Sequence, residues 1–392
     1  GHPMYRIGKE EIKAVKKVIE SRDLFKCNGG LQETMNCEME MKEMFGCQNA
    51  ILMTSGKAAL IAALVACGVG PGDEVIVPGY TYIASAMAVL AAGAIPVIAE
   101  IDETCTIDVN DAEKKISKYT KAIMPVNIQG FPCDMDALMK LAKKYNLKII
   151  EDACQADGGS YKGKRLGTIG DAGALSFNQF KIISAGEGGA FLTNDRKVFE
   201  RAFIYHDSSA VAYFGGQLDE ITEPQFCGVE YRTNEIAAAI LREQLKKLDG
   251  ILYDLRKNKK TVMEALKKDF RFIPSNDIAG DCGTTVAFAF DSEEKARSFA
   301  QADGVKGTLP IDTGKHVYTH WTPILEKRGA FNSLMDPFNM EVNKKLNHDY
   351  TLDMCPKTLD ILSRTVYVGV NPDWNRGDIE KVVDACKMAG RK

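Results

Sequence analysis

Apolar residues recur at helical spacing, with charged residues on the opposite face, over residues 10–21 and 33–45. This predicts two amphipathic helices at the start of the chain. From residue 50 the pattern changes to short apolar runs separated by helical stretches. The runs are 50–53, 74–77, 95–98, 121–126, 148–150, 173–177 and 189–192. Runs this short and this apolar suit strands buried on both faces, and their alternation with helices predicts an α/β fold with a mostly parallel seven-stranded sheet covered on both sides. Residues 233–248 form a strongly amphipathic helix, and 251–268 extend as a second, lysine-rich one. A long helix placed after a sheet predicts a bridge into a smaller C-terminal α/β domain, where 284–290 and 365–370 read as strands. The expected division is therefore 4–251 for the large domain and 252–392 for the small one.

Composition supports this picture. A chain of 392 residues, 45% of them hydrophobic, can bury one large core and a smaller second one. The net charge of −3 gives no basic surface for nucleic acid and no polybasic segment for a membrane. The apolar stretches 58–66 and 84–92 are too short to span a bilayer. Gly1-His2-Pro3 ahead of Met4 reads as an expression remnant, with no signal peptide visible. The 11 cysteines are odd in number and include no CxxC pair and no Cys/His cluster. They predict reduced thiols in a cytoplasmic protein, with neither a disulfide framework nor a metal site.

In open α/β sheets, ligands bind at the carboxyl ends of strands, so the residues just after the apolar runs carry the candidate chemistry. Four segments follow such runs or the glycine turn. Thr54-Ser55-Gly56-Lys57-Ala58 is a small-residue turn opening into a helix, which aims backbone N–H groups at an anion such as a phosphate. Any strand–turn–helix junction also needs a tight turn and a cap. Glu151-Asp152-Ala153-Cys154-Gln155 ends a buried run; its carboxylate and amide can meet a ring nitrogen and a ring hydroxyl, or Asp152 can cap a following helix. Ser176-Phe177-Asn178-Gln179-Phe180-Lys181 leads into the glycine turn Gly186-Glu187-Gly188-Gly189, where backbone can pass close to a ligand. A solvated loop lysine is the alternative for Lys181. Gly228-Val229-Glu230-Tyr231-Arg232-Thr233-Asn234 leads into the amphipathic helix, and also reads as a turn and cap.

In this order and at these separations the segments resemble the DegT/DnrJ/EryC1/StrS family of sugar aminotransferases, which are fold-type I pyridoxal 5′-phosphate enzymes. The resemblance is close from Gly8 to about Arg242 and looser beyond. It implies that Lys181 holds the cofactor as a Schiff base and shuttles the substrate proton. It implies that Asp152 pairs with the pyridine nitrogen, that Gln155 lies near the ring hydroxyl and that Tyr82 stacks on the ring. Ser176, with the N–H groups of Gly56 and Lys57, matches the phosphate site. Two positions depart from the family pattern: Lys57 replaces a threonine, and Glu230 replaces an asparagine that reaches the neighbouring subunit's phosphate. A carboxylate facing a phosphate is repulsive unless a cation lies between them, so Lys57 and the Glu230 of a partner chain are expected to compensate each other.

The resemblance further implies a homodimer with shared active sites, glutamate or glutamine as amino donor, and a keto sugar or related polyhydroxylated ketone or aldehyde as acceptor. Ile101-Asp102-Glu103-Thr104, Gly159-Ser160-Tyr161-Lys162-Gly163 and Arg256-Lys257-Asn258-Lys259-Lys260 look closest to the branch that makes 8-amino-3,8-dideoxy-manno-octulosonate. His316, Tyr318 and His206 are the expected substrate contacts, each with a structural role as the alternative. Two other functions stay open. Relatives that remove a hydroxyl carry histidine in place of the lysine, so Lys181 speaks against a dehydratase (lyase). A non-catalytic cofactor-binding scaffold is the remaining one.

Overall fold

The computed structural model describes residues 4–208, 210–213, 217–218 and 220–391. Helices α1 (Lys9–Ser21) and α2 (Glu33–Phe45) precede an alternating region. There, strands β1 (Asn49–Met53), β2 (Glu74–Pro78), β3 (Ile95–Ala99), β4 (Thr120–Ile123) and β5 (Lys148–Asp152) are separated by α3 (Gly56–Ala66), α4 (Ala84–Ala91), α5 (Val109–Lys115) and α6 (Met135–Tyr145). A short hairpin, β6 (Ser160–Tyr161) with β7 (Lys164–Arg165), leads to β8 (Ala172–Ser176) and β9 (Gly189–Thr193), followed by α7 (Arg196–His206). The large sheet has seven strands in the order β1-β9-β8-β5-β4-β2-β3. Only β9 runs against its neighbours. Fold-type I architecture, with a mostly parallel seven-stranded sheet and a smaller C-terminal unit, is what the apolar runs and the family likeness predict.

Two boundaries differ from the sequence pattern, each for a local reason. The fourth run is cut short because Pro125 has no N–H to give to the ladder; only the bridge Val126–Asp152 continues it. The fifth strand instead runs on through two acidic residues. Successive side chains of a strand face opposite ways, so Glu151 and Asp152 part company. Glu151 is fully buried and accepts the N–H groups of Gly167 (2.9 Å), Ile169 (2.8 Å) and Gly170 (2.8 Å). It fixes the turn before β8 and leaves Asp152 to the other face.

The two helices expected at 233–248 and 251–268 are one, α8 (Glu235–Leu266). The cap Asn234 accepts the N–H groups of Ile236 and Ala237. Leu241, Leu245, Leu248, Ile251, Leu252, Leu255 and Val262 continue one buried stripe straight through Asp249 and Gly250, and the apolar gain of that stripe outweighs the roughly 1 kcal/mol cost of a mid-helix glycine. The start of α8 also serves α2: the Glu235 carboxylate accepts the N–H of Glu33 at 3.0 Å and of Thr34 at 2.8 Å.

Beyond α8 lies an antiparallel sheet of β10 (Arg271–Phe272), β11 (Thr285–Ala289) and β12 (Thr365–Gly369). It is accompanied by α9 (Glu293–Gln301), α10 (Thr322–Leu325), α11 (Pro356–Ser363) and α12 (Arg376–Gly390). Phe270, Phe288 and Phe299 interlock here, with ring centroids 4.8–5.3 Å apart. This cluster joins the core beneath the large sheet. No helix among the described residues is long and apolar enough to cross a membrane.

Candidate active site

The carboxyl ends of β1, β5 and β8 meet beneath the start of α3. Ser55 caps that helix by accepting the Ala58 N–H at 3.0 Å. A β-carbon at Gly56 would lie 2.7 Å from Cys154 Sγ and 2.9 Å from Ser176 Cβ. Only glycine lets the helix end settle onto these strands. Lys57 follows, half-buried, with Nζ 3.5 Å from Met87 Sδ, and burial lowers its proton affinity. Among the described residues no carboxylate pairs with it. A helix N-terminus, a buried serine and an uncompensated cation in one place form a site suited to a phosphate.

Asp152 closes the middle of this floor. Its Oδ2 accepts the Ser85 hydroxyl at 2.6 Å, and Ser85 meets Thr81 at 2.7 Å. Its Oδ1 accepts the Cys154 N–H at 3.2 Å. A turn follows rather than a helix, so Asp152 caps nothing. The carboxylate is buried and has no basic partner among the described residues, which suits it to a protonated ring nitrogen.

Lys181 stands on the loop between β8 and β9. That loop is folded on itself by Phe177 N–H to Gly188 O (2.8 Å), Gln179 N–H to Gly186 O (3.0 Å) and Ala185 N–H to Phe177 O (3.0 Å). Gly186 takes φ 84°, in the left-handed region that favours glycine. Lys181, Tyr82, Gln155 and His316 share one cavity of about 730 Å³. His316 is held over it by Thr81 N–H to His316 O at 2.9 Å and Ile83 N–H to Lys315 O at 3.0 Å. Burial lowers the His316 pKa, a hydrogen bond to the Thr313 backbone opposes this, and the charge of Lys181 lowers it further. Tyr82 lies 5.3 Å from the His316 ring, centroid to centroid, and is 44% exposed, so one face of its ring is open to a flat ligand.

Two expected substrate contacts lie elsewhere. His206 is completely buried at the end of α7, with Nδ1 2.6 Å from Phe203 O and Nε2 3.0 Å from Lys26 Nζ. Tyr318 is also completely buried; its hydroxyl donates to Leu352 O (2.6 Å) and accepts from Cys355 N (3.1 Å). Both are core residues whose polar atoms are spent on the protein, and neither lines the cavity. Glu230 is exposed and accepts the N–H of its own neighbour Arg232 at 2.9 Å.

The sequence pattern missed the opposite wall of the cavity, which includes Gln129, Thr284, Thr285 and Asn371. Gln129 sits in a left-handed conformation (φ 55°, ψ 17°) and donates its N–H to Gln155 Oε1 at 2.8 Å. It follows the fourth apolar run, so the same strand-end rule that singled out Asp152 points to it too. Thr284, Thr285 and Asn371 come from the ends of β11 and β12, more than a hundred residues away, and nothing local announces them.

The DegT/DnrJ/EryC1/StrS aminotransferase family profile matches residues 5–306. The chain is 40% identical over 233 residues to the GDP-perosamine synthase of Escherichia coli O157:H7, covering 59% of this chain and 61% of that protein. The match thus spans less than two thirds of that relative's length. It is 32% identical over 396 residues to the dTDP-3-amino-3,6-dideoxy-alpha-D-galactopyranose transaminase of Aneurinibacillus thermoaerophilus, covering 98% and 96% of the two chains. Among solved structures, an aminotransferase from Psychrobacter cryohalolentis superposes with a TM-score of 0.79 at 27% identity, over 99% and 98% of the chains. The chain belongs to the DegT/DnrJ/EryC1/StrS aminotransferase family, whose fold is that of the fold-type I pyridoxal 5′-phosphate enzymes.

Proposed function

We propose that the protein moves an amino group from glutamate or glutamine to a keto sugar or related polyhydroxylated ketone or aldehyde, in two half-reactions that share the Lys181 cavity. The observation that carries this reading is the grouping of Lys181, Tyr82, Gln155 and His316 around one cavity; Asp152 and Ser176 stand at the ends of the adjacent strands β5 and β8. Bound pyridoxal phosphate supplies an electron sink for the carbanion formed at the substrate. Asp152 would keep the pyridine nitrogen protonated, and Ser176, Gly56 and Lys57 would hold the phosphate. Lys181 Nζ would anchor the cofactor and, when free of it, would take the proton from the donor's α-carbon. In the second half-reaction it would return a proton to the carbon that receives the amine. Tyr82, one face of whose ring is open, would stack on the cofactor ring, with His316 beside it.

A homodimer in the cytoplasm, with each site completed by the partner chain, belongs to the same proposal. The two relatives described above are named for amino sugars, which supports a sugar acceptor. The octulosonate branch is the finer candidate and is part of the test. Protein loaded with cofactor is mixed with glutamate or glutamine, and the 2-oxo acid released is measured. Keto sugars, including 8-oxo-3,8-dideoxy-manno-octulosonate, are then offered to the aminated form. Release of 2-oxoglutarate from glutamate, or of 2-oxoglutaramate from glutamine, followed by amination of one acceptor is expected; no oxo acid from either donor would remove the reading.

A further inference from the structure

Two residues beyond Gln155, Asp157 is 1% exposed, and neither of its carboxyl oxygens has a hydrogen-bond partner among the described residues. The chain around it is locked. Ala156 N–H donates to Ala153 O and Gly159 N–H to Ala156 O, both at 2.9 Å. A β-carbon on Gly158 would lie 2.7 Å from Leu252 of α8, and one on Gly159 would lie 2.8 Å from Cys282 Sγ. The turn therefore has no room to swing the carboxyl outward. A bare carboxylate is among the costliest groups to bury, and it persists only where a cation answers it. The cation within reach is that of Lys181, which has no ion pair among the described residues. The backbone N–H groups of Ile183 and Ser176, on either side of Lys181 in the chain, also face the carboxyl and favour its charge without completing a hydrogen bond. Burial pushes the Asp157 acid well above the ordinary carboxylate range, and Lys181 and these N–H groups oppose that push.

We propose that Asp157 is a positioning residue for Lys181, a counter-charge buried behind the lysine's loop that raises the proton affinity of Nζ. The inference rests on the reading of Lys181 as the amine of the site. An amine that must take a proton from carbon gains from a negative charge nearby, which favours its protonated form. Because that charge lies outside the cavity and makes no contact pair, it leaves Nζ free to reach a ligand. The charge of the carboxyl is in turn sustained by that of the lysine. The neighbouring ionisable groups do not take this part. Burial keeps the Cys154 and Cys282 thiols protonated and the His316 ring neutral. Asp152 is engaged by Ser85 and by the Cys154 N–H and, on the transaminase reading, by the cofactor ring.

The test is the pH titration of Lys181 in two variants. Asp157→Asn replaces the acid by an amide of the same shape, and Asp157→Ser by a smaller neutral group; should one fail to fold, the other decides. In the cofactor-loaded protein the titration is read from the absorbance of lysine-linked cofactor. In the cofactor-free protein it is read from competitive acetylation of Lys181, quantified by peptide mass spectrometry. Each variant should lower both midpoints by about one pH unit, the scale of a nearby opposite charge. A midpoint within about 0.2 unit of the parent value overturns the proposal, because a role confined to packing would alter stability and leave the titration in place. If the parent shows no lysine-linked absorbance, the reading of Lys181 as cofactor anchor fails, and the acetylation midpoints alone decide the role of Asp157.

Discussion

Gly56 and Ser176 stand so close that a β-carbon on the glycine would lie 2.9 Å from that of the serine. Real β-carbons do not approach to this distance, so the contact fixes where the start of α3 can rest. Gly56→Ala should push the helix end away from β5 and β8. A cost of about 1–3 kcal/mol is expected from overpacking. Denaturant unfolding would measure it, and cofactor retained after gel filtration should fall in parallel. Unchanged stability with full retention would mean that the helix end has room to move.

Lys181→Ala should abolish both the absorbance of lysine-linked cofactor and steady-state turnover. Asp152→Ala should keep part of the cofactor while losing about a hundredfold or more in kcat, because the ring nitrogen loses the charge that holds its proton. Turnover near the parent value in Asp152→Ala would take that residue out of the site.

Lys57 has no carboxylate partner among the described residues, whereas Glu230 is engaged with its neighbour Arg232. If the two meet at a phosphate across a dimer, Lys57→Thr should weaken cofactor binding more than Glu230→Asn does. The double variant should then recover much of the loss. A double-mutant cycle on cofactor affinity should give a coupling of about 1–3 kcal/mol, and additivity within about 0.5 kcal/mol would separate the residues.

His206 gives the fold a pH dependence. Burial drives its pKa well below the ordinary value, and the charge of Lys26 lowers it further, against the hydrogen bond of Nδ1 to the Phe203 carbonyl. The unfolded chain binds the proton and the folded chain does not. The stabilisation is therefore present above the unfolded pKa of about 6.5 and is lost as pH falls below it. His316 acts in the same direction, so the His206 share has to be isolated. His206→Gln should unfold more easily than the parent at pH 7.5, and the gap should shrink by about 1 kcal/mol at pH 5.5. Urea titrations at the two pH values measure this; a constant gap would mean that His206 does not titrate on unfolding.

The large sheet was legible because its strands are continuous apolar runs, and period and length suffice to find those. Asp152, Gln155 and Lys181 were legible because each follows such a run at the end where ligands bind. Their grouping, by contrast, depends on a strand order that places β5 beside β8 and β8 beside β9, which no local pattern encodes. His206 and Tyr318 misled because histidine and tyrosine have the same polar ends whether they face a ligand or a buried carbonyl. Gln129 was passed over because its left-handed backbone and its bond to Gln155 are properties of the folded loop rather than of the tripeptide Ile128-Gln129-Gly130.

The unbroken α8 has a mechanical meaning. Its 32 residues make a rod of about 48 Å, seated along one buried stripe beneath the large sheet and the three-stranded one alike. Lys181 is fixed to the first sheet, and Thr284, Thr285 and Asn371 adjoin strands of the second. The rod sets the gauge of the cavity between them. No flexible joint interrupts it at residue 251, so a chain cut there would leave half a stripe of leucines facing water on each fragment. The two sheets should accordingly melt in one cooperative transition rather than as separable pieces.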